Sequence, residues 1–498
     1  MKDMRDNRTE ADPAKAAAVY PKALALYVGG QWRGVQGRQT LTVRNPSTEA
    51  TLGMLPVATD EDIDDALSQA ETAFTSWSRT SAWDRAEILG RAAQLVDTRR
   101  RELAVVLTLE NGKPLADADG ELSRVIEGIV YCAEECKRAY GRQLPPRSPL
   151  LTQTTVKRPI GPVAAFVPWN FPAFLAARKV AAALAAGCTV VLKAPEETPA
   201  ICMLLVQAFL DAGVPQGAIA LLFGKPAHIS ERLIASPVIR KISFTGSVPV
   251  GKLLATQASQ YLKPCTMELG GHAPVIICDD VDAARVAQAC VAFKYRNSGQ
   301  VCLSPSRFFV QEGIYDAFVD HFIEHARHLK VDDGLEAGVQ MGPLNNDRRL
   351  AAAAELVNDA QRRGAVVRLG GERLARNGYF FPPTVLTDLP AEARLLHEEP
   401  FCPVAPILPF GALEQAIEKA NAVEYGLAAY AFTNSLQCAA TFAERIEAAW
   451  IGINNFTPSL ADAPVGGVKD SGLGYEGGPE GLDAYQQIRF ISQSNMRV

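Results

Sequence analysis

Two α/β domains, each organised around a doubly wound parallel sheet, are predicted by three features of this sequence. The chain has 498 residues, more than one hydrophobic core usually organises. From Val163 onward short apolar runs alternate with Ala- and Leu-rich helical stretches, and a second alternation runs from Asp282 to Ile453. Strands separated by helices pair in parallel through crossover connections, and ligands of such sheets bind outside the carboxyl ends of the strands.

The elements follow in chain order. Residues 1–22 form a polar, flexible tail. Thr59 followed by Asp62 is a helix-start signature, and Ile63, Ala66, Leu67, Ala70, Phe74 and Trp77 then recur at three- and four-residue spacing, one apolar helix face. Val163 to Pro168, Thr189 to Lys193, Ala218 to Phe223, Lys241 to Phe244 and Ala273 to Cys278 read as strands. In the second region Arg307 to Gln311, Ala405 to Phe410, Ala428 to Thr433 and Ala449 to Ile453 do the same. The Pro-rich LPPRSPLLTQTTVKR before and up to Arg158 reads as an arm or hairpin outside the core, and Tyr485 to Val498 as a strand and tail. The expected spans are 23–142 and 159–269 for a first domain, 270–484 for a second, and 143–158 with 485–498 for the arm.

Composition excludes several classes. An apolar share of 48% with 21% charged residues is ordinary globular stock, and 50 Lys and Arg against 55 Asp and Glu leave a formal charge of -5. That balance gives no electrostatic footprint for nucleic acid or an anionic membrane. The 10 cysteines are scattered without a CxxC pair, which points to small buried residues in a reducing compartment. The opening lacks the basic start and apolar run of a signal peptide, and the best spanning candidate, Val180 to Leu192, is too short. A cytoplasmic location is expected, with no nucleic-acid or membrane partner.

Four motifs compete for the chemistry. Gly472, Gly474 and Gly477 satisfy GxGxxG without a preceding strand, so a glycine-rich loop is the better reading. Gly246 to Lys252 matches a phosphate-binding loop up to Leu253, which stands where a magnesium-binding hydroxyl is needed; strand, turn and helix still suit phosphate. His321, Glu324 and His325 fit the HxxEH order of a zinc peptidase, but a solvated polar helix face, continued by His328, is preferred and no metal is expected. The fourth motif is Cys302 in NSGQVC, where Gly299 and Gln300 interrupt a helix and leave the thiol in a loop before a strand. Loops on rigid elements are where catalytic groups concentrate. Its company is Glu268 in MELGG, Asn170 in PWNFP and the segment KAPE from Lys193 to Glu196.

With ENGKPL, PWNFP, LAAGCTVVLKAPEETP, ISFTGS, MELGG, NSGQVC, EEPF and PVGGVKDSGLGYEGG in that order, the sequence resembles the aldehyde dehydrogenase superfamily over nearly its whole length after residue 25. The resemblance implies an enzyme oxidising a small aldehyde with NAD or NADP. Cys302 would be the nucleophile, Asn170 an oxyanion donor and Glu268 the general base that hydrolyses a thioester. Chemistry makes those types sensible, because a free thiol is only slightly ionised at neutral pH and an oxyanion needs donors already aimed at it. The resemblance further implies a dinucleotide held by Trp169, Lys179, Lys193, Glu196, Gly246, Ser247, Gly251, Leu269, Glu399 and Phe401. A carboxylate at Glu196 accepts ribose hydroxyls and repels a 2′-phosphate, which favours NAD over NADP.

Arg178 and Arg296 match positions that hold the substrate carboxylate in succinate semialdehyde dehydrogenases, with Ser459 near a third; guanidinium forks suit carboxylates. A semialdehyde bearing an acid group is therefore the leading substrate, and Phe456, which stands where that subgroup tends to carry glycine, keeps an apolar or aromatic aldehyde as the alternative. Ser304 replaces a second cysteine of the subgroup, Cys402 the usual glycine of EEPFGPV, Tyr475 an arginine and Val465 a phenylalanine. Cys402 puts the backbone beside Phe401 in question. The family's habit of pairing arms implies a homodimer or homotetramer. The remaining alternatives are the zinc peptidase and a relative that binds NAD without turning over.

Overall fold

The computed structural model describes residues 18–456 and 460–495. Its largest sheet has eight strands, in the spatial order Gln31–Arg33, Leu26–Val28, Ile219–Leu222, Val190–Lys193, Val163–Phe166, Lys241–Thr245, Cys265–Glu268 and Gly472–Leu473. The interior strands from Ile219–Leu222 to Cys265–Glu268 run parallel, while the edges add antiparallel partners. Because helices cover both faces, these short strands are buried along their length, as in the BBBB patterns of Val163–Phe166 and Val190–Lys193. Chain order reverses between Val163–Phe166 and Lys241–Thr245, which neighbour each other although two strands intervene in sequence. A reversal of this kind opens a crevice at the carboxyl ends of the strands.

The helix Asp60–Trp77 begins as its sequence dictates. Thr59 accepts from the Asp62 N–H, and Asp62 accepts from the Thr59 N–H in return. Ile63, Ala66, Leu67, Ala70 and Trp77 are buried on one face, and the Trp77 indole donates to the Leu184 carbonyl at 3.2 Å. Phe74, expected on that face, is only partly covered.

A second sheet has seven strands, in the order Val366–Leu369, Thr384–Thr387, Val404–Phe410, Pro305–Gln311, Ala273–Ile277, Ala428–Phe432 and Trp450–Ile453. Only Val366–Leu369 is antiparallel. Its strand-helix alternation is that of the sequence, but the chain does not stay in this layer to residue 484. Gly472–Leu473 joins the first sheet beside Cys265–Glu268, and Leu482 and Tyr485 pack into the first core. The C-terminal strand Gln486–Ser494 pairs antiparallel with Leu151–Pro159 of the same chain, which also pairs with Arg142–Leu144. The arm segments expected to meet across subunits thus meet within one, because the turn at Tyr485 returns the chain past Ile160, whose N–H donates to the Tyr485 carbonyl at 3.0 Å.

Replacing Trp77 by Ala removes a 2% exposed ring together with its hydrogen bond. A loss of about 3–5 kcal/mol in unfolding free energy is expected from such a deletion, measured as a shift of the denaturant midpoint at unchanged slope.

Candidate active site

The turn after Val163–Phe166 carries Trp169 and Asn170, and it is clamped from below by the ENGKPL segment. The Asn111 amide donates to the Trp169 carbonyl at 2.8 Å, and the Lys113 ammonium donates to the Asn170 carbonyl at 2.8 Å. Lys113 is buried in an ion pair with Glu121 at 2.6 Å, and Glu121 accepts in turn from the Ala173 and Phe174 N–H groups at the start of the helix Pro172–Ala186. A buried ion pair is tolerable only when its remaining lone pairs are satisfied in this way. The ENGKPL segment thus fixes the turn that carries Asn170.

The Cys302 loop lies opposite. The helix Ala283–Lys294 stops and Asn297, Ser298 and Gly299 follow with φ of 46, 56 and 73 degrees. Two non-glycine residues in the left-handed region cost about 1–3 kcal/mol each, so other contacts must hold them. The Ser298 hydroxyl donates to the Gly342 carbonyl at 2.7 Å, the Gln300 amide to the Asn297 carbonyl at 3.1 Å, and the Asn297 amide to the Asn170 carbonyl at 3.0 Å. Gly299 must be glycine, since a Cβ would fall 2.2 Å from the Cys402 carbonyl oxygen. The Asn170 amide donates to the Gln300 carbonyl at 3.1 Å. One of its two N–H bonds remains for another acceptor.

The two loops and both sheets enclose a cavity of about 420 Å³, lined among others by Trp169, Asn170, Arg178, Gly246, Ser247, Glu268, Leu269, Arg296, Cys302, Glu399 and Phe401. Glu268 ends its strand and is held there by Gly472, which pairs beside it, so the GxGxxG-like loop is the clasp of an acid rather than a nucleotide motif. Gly270 and Gly271 let neighbours close in. A Cβ on Gly270 would meet Glu399 Oε2 at 2.3 Å, and one on Gly271 the Cys302 carbonyl oxygen at 2.6 Å.

Electrostatics differ from those of a free thiol or carboxylate. Burial, then the Glu268 and Glu399 carboxylates, push the Cys302 thiol up to about 12. Burial and the Glu476 carboxylate raise Glu268, against Arg178, whose guanidinium is 3.9 Å away. Burial likewise pushes Glu399 up to about 7, although the Gly271 N–H donates to it at 3.1 Å. Against its own burial, Glu476 is held below the usual carboxylate range by Lys179 and Arg178. Sequence reading missed Glu476; a carboxylate inside a glycine-rich run was its only signal.

Several assignments need correction. Lys179 does not face the crevice: it is fully buried, paired with Glu476 and donating to Ser243 at 3.1 Å. Its charge, buried behind Glu268, favours the ionised form of that carboxyl and neutralises Glu476. Gly251 packs rather than lines, since a Cβ there would strike the Leu269 side chain at 2.3 Å. Phe456 stacks on Phe293 with ring centroids 4.9 Å apart, and it is Phe293 that faces the cavity. Ser459 lies outside the described residues. At Cys402 no left-handed backbone is needed: the positive φ falls on Phe401, at 47 degrees, and Cys402 is buried. His321 and Glu324 sit exposed, Glu324 pairing with His328 at 3.5 Å, and no three metal-ligating side chains converge among the described residues. No helix among those residues is long and apolar enough to cross a membrane.

The crevice also fits a dinucleotide. Ser247 caps the helix Val248–Ser259 without a side-chain hydrogen bond, leaving N–H groups of the first turn for an anion, and the Thr245 hydroxyl is buried without a partner. Lys193 holds Glu196 at 2.8 Å, and the other contact to that carboxylate is the Gly224 N–H at 2.9 Å. Phe401 meets the Trp169 ring edge-on at 5.7 Å.

Fold and crevice together define an oxidoreductase of the α/β dinucleotide-binding kind. The chain belongs to the aldehyde dehydrogenase family, whose profile matches residues 32–491, and it is an NAD(P)-dependent aldehyde dehydrogenase. It is 45% identical over 466 residues to 4-(hydroxymethyl)benzenesulfonate dehydrogenase of Comamonas testosteroni, covering 94% of this chain and 97% of the relative. It is 38% identical over 464 residues to the NADP(+) succinate-semialdehyde dehydrogenase of Escherichia coli K12, covering 93% and 96%. Among solved structures, succinate-semialdehyde dehydrogenase from Burkholderia pseudomallei superposes with a TM-score of 0.93 at 39% identity, covering 98% of this chain and all of that one, 100%.

Because neighbouring carboxylates raise the thiol, Glu268→Gln removes one of them and must lower it. Alkylation of Cys302 by iodoacetamide, which consumes thiolate, is expected to be slow at pH 8 in the unsubstituted protein and still rising above pH 9. In the Glu268→Gln protein the profile moves to lower pH and the pH 8 rate increases; mass spectrometry of the labelled peptide reads both.

Proposed function

We propose that this enzyme oxidises an aldehyde carrying an acid group, a semialdehyde such as succinate semialdehyde, to the carboxylic acid through a thioester on Cys302. The observation that carries the reading is one cavity wall shared by Cys302, Glu268, Asn170, Arg178 and Arg296. The Cys302 thiol gives its proton to Glu268, which passes it to solvent, and the sulfur attacks the aldehyde carbon, forming the C–S bond while the carbonyl pair moves to oxygen. The free N–H of the Asn170 amide and the Cys302 backbone N–H stabilise that oxyanion, and one such donor is worth about 3 kcal/mol. The nicotinamide dinucleotide, when bound, supplies the acceptor for the hydride that leaves the carbon. Glu268 then takes a proton from water as its oxygen attacks the thioester, the C–S bond breaks, and sulfur recovers its proton.

Glu196, fixed by Lys193 and Gly224, accepts ribose hydroxyls and repels a 2′-phosphate, so NAD is favoured over NADP. Gly246 and Ser247 approach the pyrophosphate, while Glu399, Phe401, Trp169 and Leu269 frame the nicotinamide end. Exposed Ile488 and Phe490 on the three-stranded arm sheet support association of copies as a homodimer or homotetramer. An aromatic aldehyde is the second reading, favoured by Phe171, Phe174 and Phe293 in the cavity wall and by the arylsulfonate named for the Comamonas relative.

Cys302→Ala abolishes NADH formation with every aldehyde while NAD binding, followed by fluorescence quenching, persists; undiminished turnover sinks the reading. Glu268→Gln keeps the first burst of NADH and slows the steady rate, by roughly a hundredfold for a lost general base. Arg178→Ala raises KM for succinate semialdehyde far more than for propanal, and equal increases would remove the acid-group assignment.

A further inference from the structure

Besides Arg178 and Arg296, and apart from Arg348 and Arg349, which pair with Glu197 and with the Pro400 carbonyl, the guanidinium of Arg124 reaches the same cavity. It lies on the helix Leu115–Glu135, lines the cavity with Arg178 and Arg296, and is half-buried. Its charge is treated differently from the others. Arg296 has the Asp117 carboxylate at 3.9 Å, and Arg178 has Glu268 at 3.9 Å. Among the described residues no side chain forms a hydrogen bond or ion pair with Arg124. The acids that face it are already committed: Glu121 to Lys113 at 2.6 Å, and Asp117 to Arg296; Glu127, on its own helix, is exposed. Burial and the adjacent Arg296 lower Arg124 to about 10, which leaves it cationic at neutral pH.

Covering a guanidinium beside a second one, without an anion between them, is unfavourable. Beside these guanidinium groups the wall carries the rings of Phe171, Phe174 and Phe293. Two of those rings carry guanidinium groups on their faces: Arg178 over Phe174 at 4.9 Å and Arg296 over Phe171 at 5.5 Å. The cavity is therefore cationic and aromatic together, with its carbonyl chemistry at Cys302. A carboxylate offers two oxygens to three forks, whereas an acid with three oxygens can engage each of them.

We infer that Arg124 is a further specificity-determining residue, which completes with Arg178 and Arg296 a subsite for the acid group of an aromatic aldehyde, a three-oxygen acid such as a sulfonate above a carboxylate. This rests on the acid-aldehyde reading above and extends it by one residue and a substrate class. The test compares benzaldehyde, 4-formylbenzoate and 4-formylbenzenesulfonate in the unsubstituted enzyme, Arg124→Gln and Arg124→Lys, with NAD saturating. Loss of a charge-assisted contact changes binding by about tenfold to a hundredfold. In Arg124→Gln, kcat/KM for 4-formylbenzenesulfonate is expected to fall by that factor, mostly through KM, with a smaller fall for 4-formylbenzoate and the smallest for benzaldehyde. Arg124→Lys recovers part of the loss. Benzaldehyde turnover reports that each variant is folded. Equal losses on all three aldehydes, or none, overturn the role of Arg124 while leaving the acid-aldehyde reading standing. An unsubstituted enzyme that does not prefer either acidic aldehyde over benzaldehyde overturns that reading itself, before any variant is compared.

Discussion

The site depends on a single hydrogen-bonded seam between two loops that belong to different sheets. Asn170, in the turn after the strand Val163–Phe166, donates across to the Gln300 carbonyl, while Asn297 donates back to the Asn170 carbonyl. Both loops lean on contacts from outside themselves: one holds left-handed Asn297 and Ser298, and the other hangs on buried Lys113. Tied together they fix sulfur, amide and carboxylate in one cavity, because each loop is the other's missing partner for backbone groups that water cannot reach.

The seam is anchored by charge taken out of solvent. Lys113 and Glu121 form a fully buried pair that adds little net stability, yet its spare donors and acceptors position the turn and the first N–H groups of the next helix. A second buried pair, Lys179 with Glu476, stands behind Glu268 and sets the field in which that carboxyl titrates. The Glu268 carboxyl, with its raised proton affinity, thus sits in front of a buried ion pair, and the polarity of the site is built from behind.

The cavity combines opposing demands. Burial, Glu268 and Glu399 disfavour a thiolate at Cys302, while the arginines of the wall favour anions. The glycine-rich segment from Val465 to Gly478 serves the same site from outside its own sheet, with Gly472 paired to Glu268 and the Val465 N–H donating to the Glu476 carbonyl at 2.6 Å.

Local pattern carried the parallel strands, the Thr59 cap and the contiguous motifs around Cys302, Glu268 and Asn170, because strand burial, capping and tight turns are set by neighbours within a few residues. Arg178 and Arg296 are marked by the resemblance to succinate semialdehyde dehydrogenases and not by local pattern. What local pattern could not supply was convergence. Lys179 and Glu476 are 297 residues apart and meet in the interior, so a lysine read as a cofactor contact became an internal counter-ion. Arg124 carried no motif and became notable only once its helix brought it beside Arg296. The arm folding back within its own chain, and Phe293 rather than Phe456 facing the cavity, were likewise decided by packing between distant segments. Sequence alone determines which groups the chain possesses and the local backbone that presents them; tertiary structure decides which charges are neutralised and which are left facing a ligand, since that depends on long-range burial and the competition for partners.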